Sequence, residues 1–240
     1  MVVTLLLLLL ASWVAATVSG AAGFGGALLL LPILTNVIGV KAAVPVLTIA
    51  QLLGNASRVW FGRTEIKWRP VFYFTLTAVP MSIIGSLLFV DLPKNFIMIG
   101  IGILLIVIVI LRRFKVTRFD FGEKGLLFGG ALTGLLSGMA GSAGPLGAAF
   151  FLGLDLNAIA YIASEAVTAL MMHISKSIVY QRFALIGLEE LGYGLLMGIG
   201  MIAGSWTGKR IIERLPKEKF VLLVEILLVV SALQLIFFSK

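Results

Sequence analysis

Long apolar runs, separated by short polar or glycine-rich stretches, extend over the whole chain. Several approach the roughly 20 residues that an α-helix needs to cross a hydrocarbon core at ~1.5 Å per residue, whereas others are much shorter. The runs cover residues 2–17, 27–40, 42–57, 70–90, 95–111, 125–139, 146–164, 166–172, 191–208 and 220–238. This pattern predicts an all-α protein that crosses a lipid bilayer many times.

Composition agrees with the pattern, because 60% of the residues are hydrophobic and only 12% are charged, against roughly 25% charged in soluble domains. The net charge of +8 comes from Lys and Arg residues between the apolar runs. They form no basic face interleaved with aromatic residues, so no nucleic-acid partner is expected. With no cysteine and one histidine, disulfides, thiolate zinc sites and all-histidine metal sites are excluded. We expect no cofactor and no metal.

The first apolar run ends in small residues like a secretory signal peptide, but it lacks the positive n-region of one. Instead, it recurs later in the chain. A shift of about 118 residues lays "LLLLLASWVAATVSGAAGFGGALL" over "KGLLFGGALTGLLSGMAGSAGPLG". The matched positions include Ser19 with Ser137, Gly20 with Gly138, Gly23 with Gly141 and, with one more residue of shift, Gly85–Ser86 with Gly204–Ser205. The first run is therefore predicted to be one copy of a repeated unit.

The repeat divides the chain into a first half at 1–118 and a second half at 119–240, with a linker at about 112–124. Each half has a long segment, a glycine-rich break, a short apolar segment and three further helices, which makes about five segments per half.

Loop charges predict that the two halves have opposite orientations in the membrane. Loops 62–69, 112–124 and 209–219 are basic and therefore predicted to be cytoplasmic, whereas "DLPKN" is nearly neutral and the loop around Arg182 carries Glu189 and Glu190. Corresponding loops thus fall on opposite sides, and both termini are predicted outside. An alternative count treats each long and short pair as one broken crossing and gives eight helices in two parallel halves.

Each half carries a glycine-rich break near its start. Gly23, Gly25 and Gly26 precede a predicted helix at 27–36, and Gly141 and Gly144 precede Pro145, which suits the first turn of a helix. Backbone that leaves helical pairing inside a membrane has to be buried in protein or line a wet cavity. We expect broken or re-entrant helices whose two N-termini converge on one anion near the midplane. The alternative is that the glycines serve close helix packing.

Polar residues follow helical spacing inside two corresponding apolar segments. On the third segment Gln51, Asn55 and Arg58 share a face with Thr48, and its mate carries Glu165, Thr168, Met172, His173 and Lys176. The register places Asn55 over His173 and Arg58 over Lys176. The candidate substrate-binding residues are therefore Gly23, Gly25, Gly26, Asn55, Arg58, Gly141, Gly144, His173 and Lys176, with Glu165 and His173 as candidates for proton coupling.

Structural alternatives exist for each of these ionisable residues. Arg58 and Lys176 lie close enough to their predicted helix ends to extend to the membrane surfaces. Glu165 can pair with a nearby Lys or Arg, and His173 can donate a hydrogen bond between helices.

The motif "GFGGALLLLPIL" near the start of the first half, its counterpart in the second, and "RTEIKW" after the third segment resemble the TauE/SafE family. The second copy departs from the family pattern at Ala143, Pro145 and Phe150, so the two breaks need not contribute equally. The resemblance implies a single transport domain in a bacterial inner membrane. It also implies a small anionic substrate that contains sulfur, such as sulfite, a sulfonate or sulfoacetate.

A secondary anion transporter that works by alternating access is therefore the favoured function, with proton coupling as a further expectation. A channel or a membrane subunit of a larger complex is the alternative. An intramembrane enzyme has less support, because the sequence has no HExxH motif and no nucleophile with a base beside it.

Overall fold

Helices account for the regular secondary structure of the residues that the structure, a computed structural model, describes. These residues are 2–88, 122–183 and 185–237, together with the helical positions Ile99, Ile103, Ile106 and Ile110. Within them lie nine helices: α1 Val2–Ala22, α2 Gly26–Ile38, α3 Val40–Phe61, α4 Trp68–Leu88, α5 Gly122–Ala140, α6 Gly144–Leu152, α7 Ala158–Arg182, α8 Leu188–Ile212 and α9 Lys217–Phe237. The all-α prediction is confirmed for this part of the chain.

The surface of the helices is apolar, as expected for a protein in lipid. By length and composition, three described helices can cross a membrane: Val3–Ala22, Trp68–Leu88 and Ala158–Arg182. Large apolar side chains such as Leu6, Ile199 and Trp206 face outward, whereas Arg58 and Lys176 are buried. This distribution is the reverse of that in a soluble domain, so the chain is a membrane protein.

Six of the long helices pack side by side in a row. In space their order is α1, α8, α3, α7, α4 and α5, and the short helices α2 and α6 pack against α1 and α3 and against α5 and α7, respectively. Helices from the first part of the chain alternate with helices from the second part. Under the shift of about 118 residues, α1 corresponds to α5, α3 to α7 and α4 to α8. When each helix is exchanged for its counterpart, the order of the row is reversed.

Corresponding glycines form the two outer contacts of this row. A Cβ added at Gly204 on α8 would lie 2.3 Å from the Trp13 carbonyl oxygen of α1, and one added at Gly85 on α4 would lie 2.2 Å from the Leu135 carbonyl oxygen of α5. Neither position has room for any side chain. The two helix pairs are therefore in backbone contact, as is typical of small residues in membrane helices.

Some predicted boundaries differ from the observed ones. The apolar runs break at Glu165 and again at His173, but α7 continues through both residues, because their side chains are buried within the protein. The helix predicted at 27–36 is observed as Gly26–Ile38. Three predicted features lie outside the described residues: the loop "DLPKN", the segment at 95–111 and linker residues 112–121. Four helical positions within the segment at 95–111 are the exception.

Candidate functional site

The two glycine-rich breaks begin with the same backbone conformation. Gly23, after the last turn of α1, has φ +87°, and Gly141, after the last turn of α5, has φ +82°. L-residues rarely adopt this region, so glycine is required for the turn at both positions. A Cβ would also lie 2.8 Å from the Tyr161 ring at Gly23 and 3.0 Å from Val44 at Gly141. Each break thus depends on glycine for its turn and for its close packing.

The breaks differ two residues further along. Gly25 precedes α2 with φ +102°, whereas its counterpart before α6, Ala143, has φ −136°. Pro145 occupies the first turn of α6, as predicted. Gly144 has room for a side chain, because the nearest atom to an added Cβ is 3.6 Å away on Phe24. The departure of the second copy from the family pattern therefore corresponds to a different backbone path.

Helices α2 and α6 begin at one shared cavity. Gly26 and Gly144, their first residues, both line it, and five further candidates line it as well: Gly23, Gly25, Asn55, Arg58 and His173. Glu165 also lines it. The free backbone N–H groups of a helix start, and the positive end of its dipole, favour an anion. The structure thus brings two such starts together at one place.

Arg58 is buried beside this cavity, with only 6% of its surface exposed. Its Nη1 donates to the carbonyl oxygens of Ser19, at 3.2 Å, and of Gly23, and its Nη2 donates to Asn55 Oδ1. The same Nη1 lies 3.6 Å from Glu165 Oε2, across the boundary between α3 and α7. Arg58 is therefore an inward-facing charge that holds the end of α1.

Lys176 repeats this arrangement in the second half and is fully buried. Its Nζ donates to Ser137 Oγ and to the Gly141 carbonyl oxygen, both at 3.0 Å. Gly141 and Lys176 do not themselves line the cavity, but Ser137 does. Lys176 reaches the end of α5, as Arg58 reaches the end of α1, and both side chains are buried within the protein. Their burial argues against the surface-anchor interpretation of the two cations.

Four residues that line the cavity have a buried polar atom without a hydrogen-bond partner among the described residues. These atoms are Arg58 Nε, Thr133 Oγ1, Glu165 Oε2 and His173 Nδ1, and the residues Glu165 and His173 are only 2% and 8% exposed. Glu165 pairs with an arginine, as one structural alternative supposed, but at 3.6 Å the contact is longer than a hydrogen bond. Buried polar groups almost always have partners, so such atoms facing a cavity point to a polar ligand.

Four hydroxyl groups at the cavity were not among the predicted site residues: Ser19, Thr133, Ser137 and Ser142. The first and third are matched by the repeat register, which could have identified them as a pair. Thr133 Oγ1 has no hydrogen-bond partner among the described residues, whereas Ser137 accepts from Lys176. No group of three or more metal-binding side chains occurs in the described residues.

A second cavity lies beside Arg58, next to the basic loops at 62–69 and 209–219. Arg58, Gly62, Ser205 and Lys209 are among the residues that line it. The position that corresponds to Gly62 in the second half is Tyr180, whose side chain is buried against Val44. The two corresponding positions therefore differ, with a glycine at the cavity in the first half and a buried aromatic ring in the second.

Comparison with known proteins agrees with these features. The family model described as "Sulfite exporter TauE/SafE" matches residues 8–235, which is nearly the whole chain. No curated protein and no solved structure matches the chain. The match covers both halves, both glycine-rich breaks and every candidate site residue. The chain belongs to the sulfite exporter TauE/SafE family of membrane transporters.

Proposed function

We propose that this protein is a secondary transporter that carries small sulfur-containing anions, such as sulfite, sulfonates or sulfoacetate-like compounds, by alternating access through the central cavity. One observation carries the proposal: the first residues of α2 and α6, Gly26 and Gly144, line the same cavity as the buried Arg58. Backbone N–H groups and a guanidinium are donors that suit tetrahedral or pyramidal oxyanions.

The two cations support an inverted repeat. Arg58 and Lys176 match in the register, and each donates to the carbonyl oxygen of the glycine that directly follows the first helix of its half. The alternating order of helices in the row, and the finding that a basic loop in one half corresponds to a loop without excess basic charge in the other, support the same arrangement. In this topology each half has five segments in opposite orientation, α1–α2 and α5–α6 are re-entrant pairs, and both termini lie outside a bacterial inner membrane.

The polar groups at the cavity also support proton coupling. Glu165 and His173 are buried and line the cavity. Glu165 Oε2 and His173 Nδ1 have no hydrogen-bond partner among the described residues. Ionisable groups inside a membrane protein commonly mark proton pathways. Either group could therefore take up a proton as the site alternates between the two sides of the membrane.

Counterflow in proteoliposomes tests the transport mode. Vesicles loaded with unlabelled sulfite or a sulfonate should accumulate the labelled anion from outside, and the uptake should saturate. A channel would show no such stimulation by anion on the opposite side, and an enzyme would convert the anion instead of moving it. Vesicles with Arg58→Gln protein provide the binding-site control. A panel of sulfur oxyanions and carboxylates would define the substrate class.

A further inference from the structure

Arg58 can offer an entering anion its Nε, which has no hydrogen-bond partner among the described residues, but its Nη atoms are already engaged. Its Nη atoms already contact two backbone carbonyl groups, the Asn55 side chain and Glu165. The carbonyl groups of Ser19 and Gly23 lie in the last turn of α1 and directly after it, where the Gly23 N–H also donates to the Ser19 carbonyl, so the backbone fixes both acceptors. Glu165 is held far less firmly, since its Oε2 lies 3.6 Å from Arg58 and has no hydrogen bond within the described residues.

We propose that Glu165 is an exchangeable counter-ion of Arg58, and that the site binds a divalent oxyanion together with one proton on Glu165 but binds a monovalent sulfonate without a proton. The proposal rests on the proposed function and defines the charge of its substrate. An ionised carboxylate and an incoming anion compete for the same guanidinium in a poorly hydrated cavity, where like charges repel strongly. Protonation of Glu165 removes that competition.

The number of buried charges near the cavity gives the stoichiometry. Arg58 and Lys176 are two cations and Glu165 is one carboxylate, so one positive charge is in excess while Glu165 is ionised. A monovalent anion balances that excess. A divalent anion leaves a negative charge unless a proton from the adjoining water binds the Glu165 carboxylate. The balanced complex then contains the dianion, both cations and a neutral carboxylic acid.

The other titratable groups near Glu165 do not duplicate this role. His173 and Lys176 lie on the same helix, and Tyr161 is near Arg58. Protonating His173 would add a third positive charge beside two cations, whereas protonating Glu165 neutralises an anion at the point where the ligand binds. In the first half, the position that corresponds to Glu165 is Leu47, which is buried. Only one half therefore supplies this carboxylate.

Calorimetric titration of the purified full-length protein with two probes tests the proposal. Sulfate stays divalent and methanesulfonate stays monovalent between about pH 5.5 and 8, the range in which intramembrane carboxylates and histidines commonly switch. In the wild type, the sulfate affinity should rise by up to ~10-fold for each unit fall in pH, as for linkage to one proton. The methanesulfonate affinity should change by less than ~3-fold over the whole range.

Proton uptake is measured directly on the wild type by repeating the titrations in buffers of different ionisation enthalpy. Sulfate should bind with close to one proton and methanesulfonate with close to none. Glu165→Gln should bind sulfate with no proton and with an affinity independent of pH, whereas His173→Gln should keep the wild-type pH dependence. Glu189→Gln, at an exposed glutamate on α8, is the matched control and should behave as the wild type.

The outcomes separate the two proposals. If neither anion binds the wild type at any pH, the proposed function fails. If both anions bind with the same proton uptake, or if methanesulfonate binds and sulfate does not bind even at low pH, the exchange of Glu165 is wrong. Loss of the pH dependence in His173→Gln, with its retention in Glu165→Gln, would also overturn it and assign the proton to the histidine.

Discussion

Arg58 and Lys176 bind corresponding backbone atoms, the carbonyl oxygens of Gly23 and Gly141, which directly follow α1 and α5. Each cation thereby neutralises the negative end of a helix dipole and fixes the start of the break that follows. The two contacts differ in one respect, because only Arg58 has an acidic partner within ion-pair distance among the described residues. The same framework therefore presents unequal charges to the cavity.

Replacing either cation should weaken anion binding. Arg58→Gln and Lys176→Gln are each expected to lower the affinity by more than the ~1 kcal/mol typical of a screened surface charge, since both side chains are buried. Arg58→Gln should have the larger effect, because Arg58 lines the cavity and Lys176 does not. Ligand titration measures both. Arg63→Gln, at an exposed arginine, is the control, and wild-type affinity in both buried variants would remove the cations from the site.

The glycine-rich breaks should be intolerant of side chains. Gly25→Val and Gly144→Val are both expected to abolish substrate binding in a folded protein. Gly25 has φ +102°, so a β-branched residue is strained there. At Gly144 a valine side chain fits beside Phe24 without strain. It would instead occupy space in the cavity and block the approach of the anion to the start of α6. Gly192→Val, at an exposed helical glycine, is the control. Normal affinity in both break variants would leave the glycines with a packing role.

The inverted topology predicts the sides of single cysteines placed in the loops. The chain has no cysteine of its own, so an impermeant thiol reagent has no background in the protein. Cysteines at positions 91 and 189 should be labelled from outside. Cysteines at positions 67, 118 and 217 should be labelled only after the membrane has been permeabilised. Asp91 and Arg118 lie outside the described residues. Labelling of Lys67 and Glu189 positions from the same side would favour two parallel halves.

The backbone contact at Gly204 should control stability. Gly204→Ala places a Cβ 2.3 Å from the Trp13 carbonyl oxygen, so α1 and α8 must separate. We expect destabilisation by ~1–3 kcal/mol, as for overpacked interiors. Thermal unfolding in detergent, followed by size-exclusion chromatography, measures it. Gly192→Ala lies on the same helix with no heavy atom within 4 Å of the added Cβ, and it should leave the unfolding temperature unchanged. An equal effect of the two changes would contradict the packing argument.

The sequence was more informative about the residues of the candidate site than about the contacts between them. Helical spacing and the repeat register selected Arg58, Lys176, Glu165 and His173 as candidates, because polar residues in apolar segments stand out locally. The partners of these groups were not readable, since Arg58 contacts Gly23 and Glu165 from distant parts of the chain. Side chains that bind backbone carbonyl groups leave no trace in residue identity. The repeat register pairs Ser19 with Ser137, but it did not indicate that Lys176 Nζ donates to the Ser137 hydroxyl.

The helix order in the row has a consequence for how the protein is made. α1 packs mainly along α8, which begins only at Leu188, and α4 packs mainly along α5 of the later half. During synthesis the first half therefore enters the membrane long before its packing partners exist, and its contacts close late and at long range along the chain. Each half completes the fold of the other. Fragments 1–118 and 119–240 produced in the same cell should assemble into a working protein, whereas either fragment alone should be degraded.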